Sequence, residues 1–306
     1  MARLRPPLRD FSLHLQPKQS FSSGERLQIM LQKRIIRRLI QSAIEEDVGS
    51  GDITTSAVLT GNETGRAQAI ARGDMVAAGM DVFKEVFVSY DGDIRFRDNV
   101  EDGALVKSGD ILTEISGKLG SILTAERVAL NFLQRLCGIA TLTRRYVDEV
   151  GGTGAKILDT RKTTPCLRML EKYAVAIGGG VNHRFGLYDG ILIKDNHIDA
   201  AGGISAAVDR ISRGAPHALK VEVEVKNLRE VEEALSAGVD IIMLDNMGSG
   251  EMKEAVSLIS GRTLIEASGN VTLSSVREIA ETGVDLISVG ALTHSPPASD
   301  ISLRVA

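Results

Sequence analysis

Hydrophobic and polar residues alternate with two different periods along this chain. Residues 25–47, ERLQIMLQKRIIRRLIQSAIEED, follow the helical period, and the turn-rich stretch VGSGDITT comes directly after them. Short, partly alternating runs with Gly-Asp turns, such as AQAIARGDMVAAG and ALVKSGDILTEISG, continue to about residue 120. A helix followed by short strands is typical of a compact α+β unit, so we predict an α+β domain over residues 26–125.

A long helix is predicted over residues 124–150, TAERVALNFLQRLCGIATLTRRYVDEV, where Thr124 suits the N-cap position. Its apolar residues recur at helical spacing: Val128, Phe132, Leu136 and Ile139. In this frame Arg127 lies in the first turn, where a cation opposes the helix dipole at a cost of about 0.3–1 kcal/mol. An exposed arginine can tolerate that cost, and an anion bound nearby would remove it.

After GGTG the pattern changes to short apolar runs separated by helical segments. The six runs are KILDT, GILIK, KVEVEV, DIIMLD, TLIEAS and DLISVG. Two passages also repeat each other, AGVDIIMLDN at 237–246 and TGVDLISVGA at 282–291. Such alternation predicts βα units on a parallel sheet, and we expect a small or incomplete βα barrel over residues 126–293. A doubly wound open sheet is the alternative, which no GxGxxG motif supports.

Strand parity predicts which charged side chains point into the barrel, because the outward face must be apolar to pack against helices. In KVEVEV the valines face the helices, so Glu222 and Glu224 point inward. The same parity groups Asp245 with Ile241 and Met243, and Ser268 with Leu264 and Glu266. Lys194 stands at the end of its strand.

Charged residues therefore gather at the carboxyl ends of the predicted strands. These residues are Arg161, Lys162, His183, Arg184, Lys194, Glu224 and Asp245. Unpaired buried charge is costly, so mutual neutralisation in a structural network is one interpretation. The cations outnumber the two carboxylates, however, and the excess favours a multiply anionic ligand. The carboxylates suit Mg²⁺, a hard ion that takes one or two carboxylates together with phosphate oxygens.

Two glycine-containing strand ends are candidates for a phosphate site. Ser268, Gly269 and Asn270 follow one late strand, and Gly290 follows the last one. Barrels often bind phosphate with backbone N–H groups in the loops after their final strands. Taken alone, each glycine is explained more simply as a turn residue after its strand than as part of a phosphate site.

Composition mainly excludes classes of function. Among 306 residues the net charge is −4, aromatic residues make up 4% and Trp is absent, which disfavours a general nucleic-acid binder. No apolar stretch approaches the roughly 20 residues that a membrane span needs. Cys137 and Cys166 provide neither a disulfide framework nor a paired metal motif, so we expect a reducing, cytoplasmic location. Residues 1–25, which contain arginine and are rich in Ser and Pro, are predicted to be a disordered or targeting-like tail.

Other reactive side chains have simpler interpretations. Cys137 belongs to an apolar helix face, and Cys166 lacks a free histidine that could activate it. Asp159 is expected to hold Arg161, and His197 to orient the loop of Lys194. As a rival chemistry, Lys194 at the end of a barrel strand could form a Schiff base.

Several blocks of the sequence together resemble the quinolinate phosphoribosyltransferase family, the carboxylating nicotinate-nucleotide pyrophosphorylases. The blocks are TAERVALNFLQRLCGIAT, DTRKTTPCLRMLEKYAVAIGGGVNHRFGLYDGILIKDNHI, VEVEV, IMLDNM, IEASGN, VGALTHS and EDVGSGDITT. The resemblance runs from about residue 35 to the end. A molybdenum-associated, oxyanion-binding relative shares the scaffold, but DTRKT and NHRFGLYDGILIKDNHI resemble the phosphoribosyltransferase form.

The resemblance implies an α/β amino-terminal domain joined by the C-terminal residues 294–306, and a barrel domain. It implies transfer of a phosphoribosyl group from phosphoribosyl diphosphate to quinolinate, with loss of pyrophosphate and CO₂, in NAD biosynthesis. It also implies Mg²⁺ and a homodimer, alone or within a higher oligomer, whose active site borrows residues from the partner.

The resemblance further implies roles for individual residues. Quinolinate would be bound by Arg161, His183, Arg184 and, across the dimer, Arg127. Lys162 and Lys194 would face the carboxylates and the phosphoribosyl diphosphate, and Glu224 and Asp245 would serve the ribose and Mg²⁺. The 5′-phosphate would be held by Ser268, Gly269 and Gly290, with Asn270 beside them. Glu222 also points inward, but counting back from LDN without a gap favours Glu224 as the functional glutamate.

Overall fold

The computed structural model describes residues 23–305, with side chains from residue 34 onward. The predicted tail lies outside the described residues except for its last three, which belong to the first helix. The amino-terminal unit contains helices α1 (Ser23–Val48), α2 (Ile53–Val58) and α3 (Met80–Tyr90), and strands β1 (Thr64–Ala71), β2 (Met75–Val76), β3 (Arg95–Asp98), β4 (Leu105–Val106) and β5 (Ile111–Lys118). The last strand of the chain is β12 (Ile301–Val305).

An antiparallel sheet with the order β12-β1-β5-β3 organises this unit, and β2 pairs separately with β4. The C-terminal strand β12 lies in the amino-terminal sheet, with Leu303 opposite Ala69. Helix α3 packs against α1 and the long helix that follows β5 and buries Phe83 and Phe87 fully, and the ring of Phe87 lies 5.9 Å from that of Phe96 on β3. The first long strand and the last strand of the described region are therefore neighbours in one sheet.

The second unit alternates short strands with helices, as the pattern predicts. Its strands are β6 (Lys156–Leu158), β7 (Ile191–Ile193), β8 (Val221–Val225), β9 (Ile241–Asp245), β10 (Leu264–Ser268) and β11 (Leu286–Ser288). Its helices are α4 (Leu119–Glu149), which precedes β6, and α5 (Arg168–Ile177), α6 (Asp195–Ala201), α7 (Ile204–Gly214), α8 (Leu228–Ala237), α9 (Ser249–Ile259), α10 (Val276–Ala280) and α11 (Ala291–His294).

The strand order β6-β11-β10-β9-β8-β7 identifies this unit as an incomplete barrel. The first strand pairs with the last, since Leu158 lies opposite Ser288, and a single parallel bridge joins Leu158 to Val181 on the other side. The ring is open only between that bridge and β7. Because β7 to β11 lie side by side in chain order and β6 pairs with β11 as the ring curls round, the doubly wound alternative is wrong, and an α+β domain followed by an incomplete βα barrel is confirmed.

Strand parity also follows the prediction. Val223 and Val225 are fully buried against the helices, while Glu222 is 4% exposed and Glu224 is 9% exposed on the inner face. Glu224 lies opposite Met243, and Met243 lies opposite Glu266 on the next strand. Carboxylates therefore point into the barrel from two strands.

The start of α4 differs from the prediction. The helix begins at Leu119, with Lys118 at the N-cap, and Thr124 is buried within it, donating its hydroxyl to Asp52 Oδ2 at 3.2 Å. Arg127 is the ninth residue counted from Leu119, beyond the first turn in which the helix dipole acts. The predicted dipole penalty on Arg127 is therefore wrong. Fully buried Ile122 packs into the core and accounts for the extra turn.

Among the described helices, none has both the length and the apolar character needed to cross a bilayer.

Candidate active site

The barrel collects the predicted site residues at the carboxyl ends of its strands. In ring order they are Arg161 and Lys162 after β6, His183 and Arg184 after the bridge at Val181, Lys194 after β7, Glu224 on β8, Asp245 on β9, Ser268, Gly269 and Asn270 on and after β10, and Gly290 after β11. Arg127 is the exception, because it is exposed on α4 rather than at a strand end. One rim of the barrel therefore carries the whole predicted set apart from Arg127.

Three of the rim cations are not neutralised by the protein. In the part of the chain that the structure describes, Arg161, Lys162 and Arg184 make no salt bridge with a carboxylate. Burial, together with the nearby charge of Arg161, lowers the pKa of Arg184, whose Nη1 donates to the carbonyl of Gly190 at 2.9 Å. Arg161 and Arg184 are close enough for their charges to interact, and two guanidinium groups without a salt bridge in the described region can together bind an anion.

Lys194, unlike these three cations, has a carboxylate partner. Its Nζ donates to Glu224 Oε2 on the neighbouring strand. Its backbone N–H donates to His197 Nδ1 at 3.0 Å, so His197 anchors the start of α6 at this lysine. The amine of Lys194 is therefore engaged by Glu224 rather than free to attack a carbonyl, which disfavours the rival Schiff-base chemistry.

His183 is held at both ring nitrogens. Nδ1 accepts the backbone N–H of Arg184 at 2.7 Å, so the ring proton lies on Nε2, which is 3.1 Å from Glu222 Oε2 and 3.7 Å from Glu266 Oε2. Burial lowers the pKa of His183, but the hydrogen bond to Glu222 and the charges of Glu266 and Glu222 outweigh it and raise the pKa above its ordinary value. A second proton would have to enter at Nδ1 and displace the Arg184 N–H.

His183, Glu222 and Glu266 together offer donor atoms within 4.8 Å of one another, as a metal site would. A metal at Nε2 would require that nitrogen to be deprotonated, whereas the hydrogen bond accepted by Nδ1 places a proton there. Burial, reinforced by the charge of Glu222, raises the pKa of Glu266 to about 8, so this carboxyl holds a proton at neutral pH. The proton on His183 Nε2 therefore disfavours a metal at this position, although Glu222 Oε1 and Glu266 Oε1 are buried without a hydrogen-bond partner among the described residues.

Asp245 and Glu224 have the properties that a hard cation needs. Asp245 is half-buried at the end of β9, and within residues 34–305 its carboxylate accepts no hydrogen bond and makes no salt bridge. Glu224 lies on the adjacent strand, opposite Met243 and therefore two residues deeper on the same inner face. Mg²⁺ takes one or two carboxylates and leaves its other positions to water and phosphate. These two side chains fit that requirement.

The turn after β10 is shaped for glycine. Gly269 has a φ of +100°, and a Cβ there would come within 2.3 Å of Asn246 Oδ1. Asn270 donates to the same Oδ1 at 3.0 Å. Asn246 was not predicted as part of the site. The signal in the sequence is an asparagine directly after a strand, and in the structure it adopts a left-handed conformation with a φ of 53°.

Gly290, after the last strand, brings two further side chains together. A Cβ at Gly290 would lie 3.0 Å from Lys162 Cδ and 3.2 Å from His294 Cδ2. The first and last barrel strands thus present Lys162 and Gly290 side by side. His294, in the short helix α11, was not predicted as part of this rim.

The expectation for Asp159 is wrong. Asp159 is fully buried and bonds Lys172 of α5 and the backbone N–H of His183 rather than Arg161. The buried carboxylate of Asp159 pairs with Lys172, which helix packing brings close to it. Pairing with the exposed Arg161 would require that arginine to lose its hydration. Sequence spacing could not show that Lys172 faces β6.

The two cysteines lie in different environments. Cys137 is fully buried, and burial raises the pKa of its thiol to about 12. Cys166 is exposed in the loop between β6 and α5, with a φ of 67°. The assignment of Cys137 to the core is therefore confirmed.

Comparisons with known proteins agree across the chain. The family profile described as "Quinolinate phosphoribosyl transferase, C-terminal domain" matches residues 139–304, and the profile for its N-terminal domain matches residues 52–137. A Bacillus subtilis protein named as a probable carboxylating nicotinate-nucleotide pyrophosphorylase is 42% identical over 270 residues, covering 88% of this chain and 93% of that protein. The decarboxylating quinolinate phosphoribosyltransferase 1b of Nicotiana tabacum is 43% identical over 289 residues, covering 88% and 82% respectively.

Solved structures give the same result. The crystal structure of NadC from Streptococcus pyogenes matches with a TM-score of 0.85 and 44% identity, over 89% of this chain and 97% of that one. The nicotinate-nucleotide pyrophosphorylase of Francisella tularensis matches with a TM-score of 0.86 and 42% identity, over 89% and 96%. These matches favour neither the molybdenum-associated relative nor the Schiff-base alternative. The chain belongs to the quinolinate phosphoribosyltransferase family.

Proposed function

We propose that this chain transfers the phosphoribosyl group of phosphoribosyl diphosphate to the ring nitrogen of quinolinate, releasing pyrophosphate and CO₂ and forming nicotinate mononucleotide for NAD biosynthesis. Family membership supports the reaction. The structural observation that carries it is the rim of the barrel, where Arg161, Lys162 and Arg184 have no carboxylate partner among the described residues. Quinolinate and the diphosphate are both multiply anionic and would supply the missing charge.

Quinolinate needs cations that are placed for its two carboxylates. Arg161 and Arg184 offer planar, bidentate donors, and their mutual repulsion is relieved when a dicarboxylate binds between them. His183 lies between Arg184 and the glutamates, so quinolinate would compete with Glu222 for the Nε2 proton. Lys194 would reach a ring carboxylate from the next strand while retaining Glu224.

Phosphoribosyl diphosphate needs a phosphate site and compensation for the charge that develops on its leaving group. Backbone N–H groups of Gly269 and Gly290, with Ser268 and Asn270, would hold the 5′-phosphate. Lys162 would lie by the diphosphate, and Glu224 would stabilise positive charge at the sugar carbon in the transition state. Asp245 and Glu224 would hold Mg²⁺, which supplies neutralisation of the leaving pyrophosphate.

Loss of CO₂ then needs no further cofactor. Once the ring nitrogen carries the ribosyl group, the ring accepts the electron pair of the bond between C2 and its carboxylate. That bond breaks, CO₂ leaves, and C2 takes a proton. The cations that bind the carboxylates hold the ring in place during this step.

We also propose a homodimer, alone or within a larger oligomer, in which Arg127 completes the active site of the partner. Arg127 is exposed on α4 and, within the described residues, its side chain makes neither a hydrogen bond nor a salt bridge. It does not lie at a strand end of its own barrel. A cytoplasmic location is supported by the two free cysteines.

Product analysis tests the reaction. Nicotinate mononucleotide should form only when quinolinate, phosphoribosyl diphosphate and Mg²⁺ are all supplied, and one CO₂ should be released per product. Equal consumption of nicotinate would overturn the assignment of quinolinate. Mixing inactive Arg127→Ala subunits with inactive Arg161→Ala subunits should restore part of the activity if the site is shared, whereas no recovery in mixed dimers would overturn the shared site.

A further inference from the structure

Three consecutive residues of α5, Glu171, Lys172 and Tyr173, each bond a different part of the molecule. Neighbouring helical residues point about 100° apart, so they cannot serve one another as partners. Glu171 pairs with Arg135 of α4, Lys172 pairs with Asp159 after β6, and Tyr173 donates to Asp102 of the amino-terminal unit. Glu171 is fully buried and Lys172 is 3% exposed.

The pair of Lys172 and Asp159 holds the main chain of His183. Lys172 Nζ donates to Asp159 Oδ1 and to the carbonyl of His183, the latter at 2.9 Å. Asp159 Oδ1 also accepts the backbone N–H of His183 at 2.8 Å. Both peptide groups that flank this residue are thus bound by one ion pair, and Arg184 is the next residue along the chain.

The pair of Glu171 and Arg135 holds a different loop. Arg135 Nε donates to Glu171 Oε1 at 2.8 Å, and Arg135 Nη2 donates to Thr164 Oγ1 at 2.7 Å and to the carbonyl of Thr293 at 2.9 Å. Glu171 Oε2 accepts the backbone N–H of Thr164 at 3.1 Å. Thr293 in turn donates its hydroxyl to the carbonyl of Lys162 at 2.8 Å.

Stability alone does not explain these pairs. Buried ion pairs contribute little more to stability than apolar residues of the same size, because desolvation offsets the attraction between the charges. The pairs instead fix the position of the groups they bond, because hydrogen bonds of charged groups are directional. Here the bonded groups are main-chain groups beside the rim cations.

We propose that Glu171 and Lys172 are positioning residues for opposite halves of the active site. Lys172 with Asp159 sets the turn of His183 and Arg184, and therefore the binding of quinolinate. Glu171 with Arg135 sets the loops of Lys162 and Gly290, and therefore the binding of phosphoribosyl diphosphate. The assignment of each half to a substrate rests on the proposed function. One short helix thereby orients both substrates through adjacent side chains.

Steady-state kinetics of three purified variants test this. Asp159→Asn keeps an acceptor for the His183 N–H but removes the charge, Glu171→Gln keeps the shape of Glu171 but removes its charge, and Tyr173→Phe is the matched control from the same helix. We expect Asp159→Asn to raise the KM for quinolinate about tenfold and Glu171→Gln to raise the KM for phosphoribosyl diphosphate about tenfold, since displacements near 1 Å have effects of up to a hundredfold. Each should leave the other KM within about twofold. Tyr173→Phe should lower Tm and leave both KM values unchanged.

Two milder changes guard against misfolding. The double variant Asp159→Asn/Lys172→Met leaves no unpaired buried charge, and Thr293→Val removes only the hydroxyl that reaches the Lys162 carbonyl. The double variant should raise mainly the KM for quinolinate, and Thr293→Val mainly the KM for phosphoribosyl diphosphate. Equal changes in both KM values, or a lowered Tm with unchanged kinetics, would overturn the proposal. Failure of the unaltered protein to consume quinolinate would instead overturn the proposed function, and that is measured before any variant.

Discussion

The side-chain amide oxygen of Asn246 lies over the α-carbon of Gly269, where a Cβ would come within 2.3 Å of it. The φ of Gly269 is +100°, a conformation that L side chains rarely adopt, so both space and backbone geometry require glycine. The hydrogen bond from Asn270 to the same oxygen joins the ends of β9 and β10. This contact shapes the turn that we assign to the 5′-phosphate.

Gly269→Ala should therefore reduce phosphate binding as well as stability. The new methyl group must displace Asn246, and we expect the KM for phosphoribosyl diphosphate to rise about tenfold or more, given how strongly rates depend on placement. Gly261→Ala is a matched control, because Gly261 has a φ of +70° but nothing within 4 Å of its Cβ position. That control should lose about 1–2 kcal/mol of stability and keep its KM. Equal kinetic effects in the two variants would contradict the assignment.

Arg161→Ala should remove activity without removing stability. Arg161 is exposed, and its side chain makes no salt bridge in the described region, so the fold gains little from it. Loss of a charge contact with the transition state should remove about 3 kcal/mol of transition-state stabilisation, which lowers kcat/KM by roughly a hundredfold or slightly more. Thermal unfolding and steady-state kinetics measure the two effects. Arg213→Ala, which removes an exposed pair with Asp209, should change neither by much.

Removal of Mg²⁺ should abolish turnover, and Asp245→Asn should raise the Mg²⁺ concentration that gives half-maximal rate about tenfold, because one hard anionic ligand is lost. Since the carboxylate of Asp245 has no hydrogen bond or salt bridge within the described residues, the Tm of this variant should stay close to that of the wild type. A titration of rate against Mg²⁺ for both proteins measures the difference. An unchanged Mg²⁺ requirement in Asp245→Asn would contradict the assignment of this ligand.

Glu266→Gln should change how stability depends on pH. The pKa of Glu266 is raised from an ordinary 4.5 to about 8, so between these values the folded state binds a proton that the unfolded state lacks. Its contribution to stability is full below pH 4.5 and is lost as pH rises through 8. Because the glutamine side chain of the variant has no proton to lose in this range, the Tm of Glu266→Gln relative to wild type should increase with pH. Parallel Tm curves from pH 5 to about 8.5 would contradict the raised pKa.

Thiol labelling should distinguish the two cysteines. In the native protein iodoacetamide should modify Cys166, which is exposed, and spare Cys137, whose thiol is buried with its pKa raised to about 12. Both should react in denaturant. Peptide mass analysis of native and unfolded samples identifies the sites, and rapid native labelling of Cys137 would show that α4 opens from the core.

Much of the barrel could be predicted because its constraint is local. Each strand must bury one face against helices, so the alternation in VEVEV is enough to predict that Glu222 and Glu224 point inward, and both do. The start of α4 could not be placed in this way. There the burial of Ile122 extends the helix beyond the apparent cap at Thr124, and no pattern inside the segment reports that contact.

The partners of buried charges were decided only by tertiary structure. The sequence alone indicated parallel βα units and the collection of cations at strand ends, since periodicity and chain direction dictate both, but it left the barrel and the doubly wound sheet as alternatives. It could not determine that Asp159 meets Lys172 instead of Arg161, or that Asn246 covers Gly269. Such pairings depend on distances of a few ångströms between elements far apart in the chain, and the desolvation cost of an unpaired charge selects whichever partner the packing brings close.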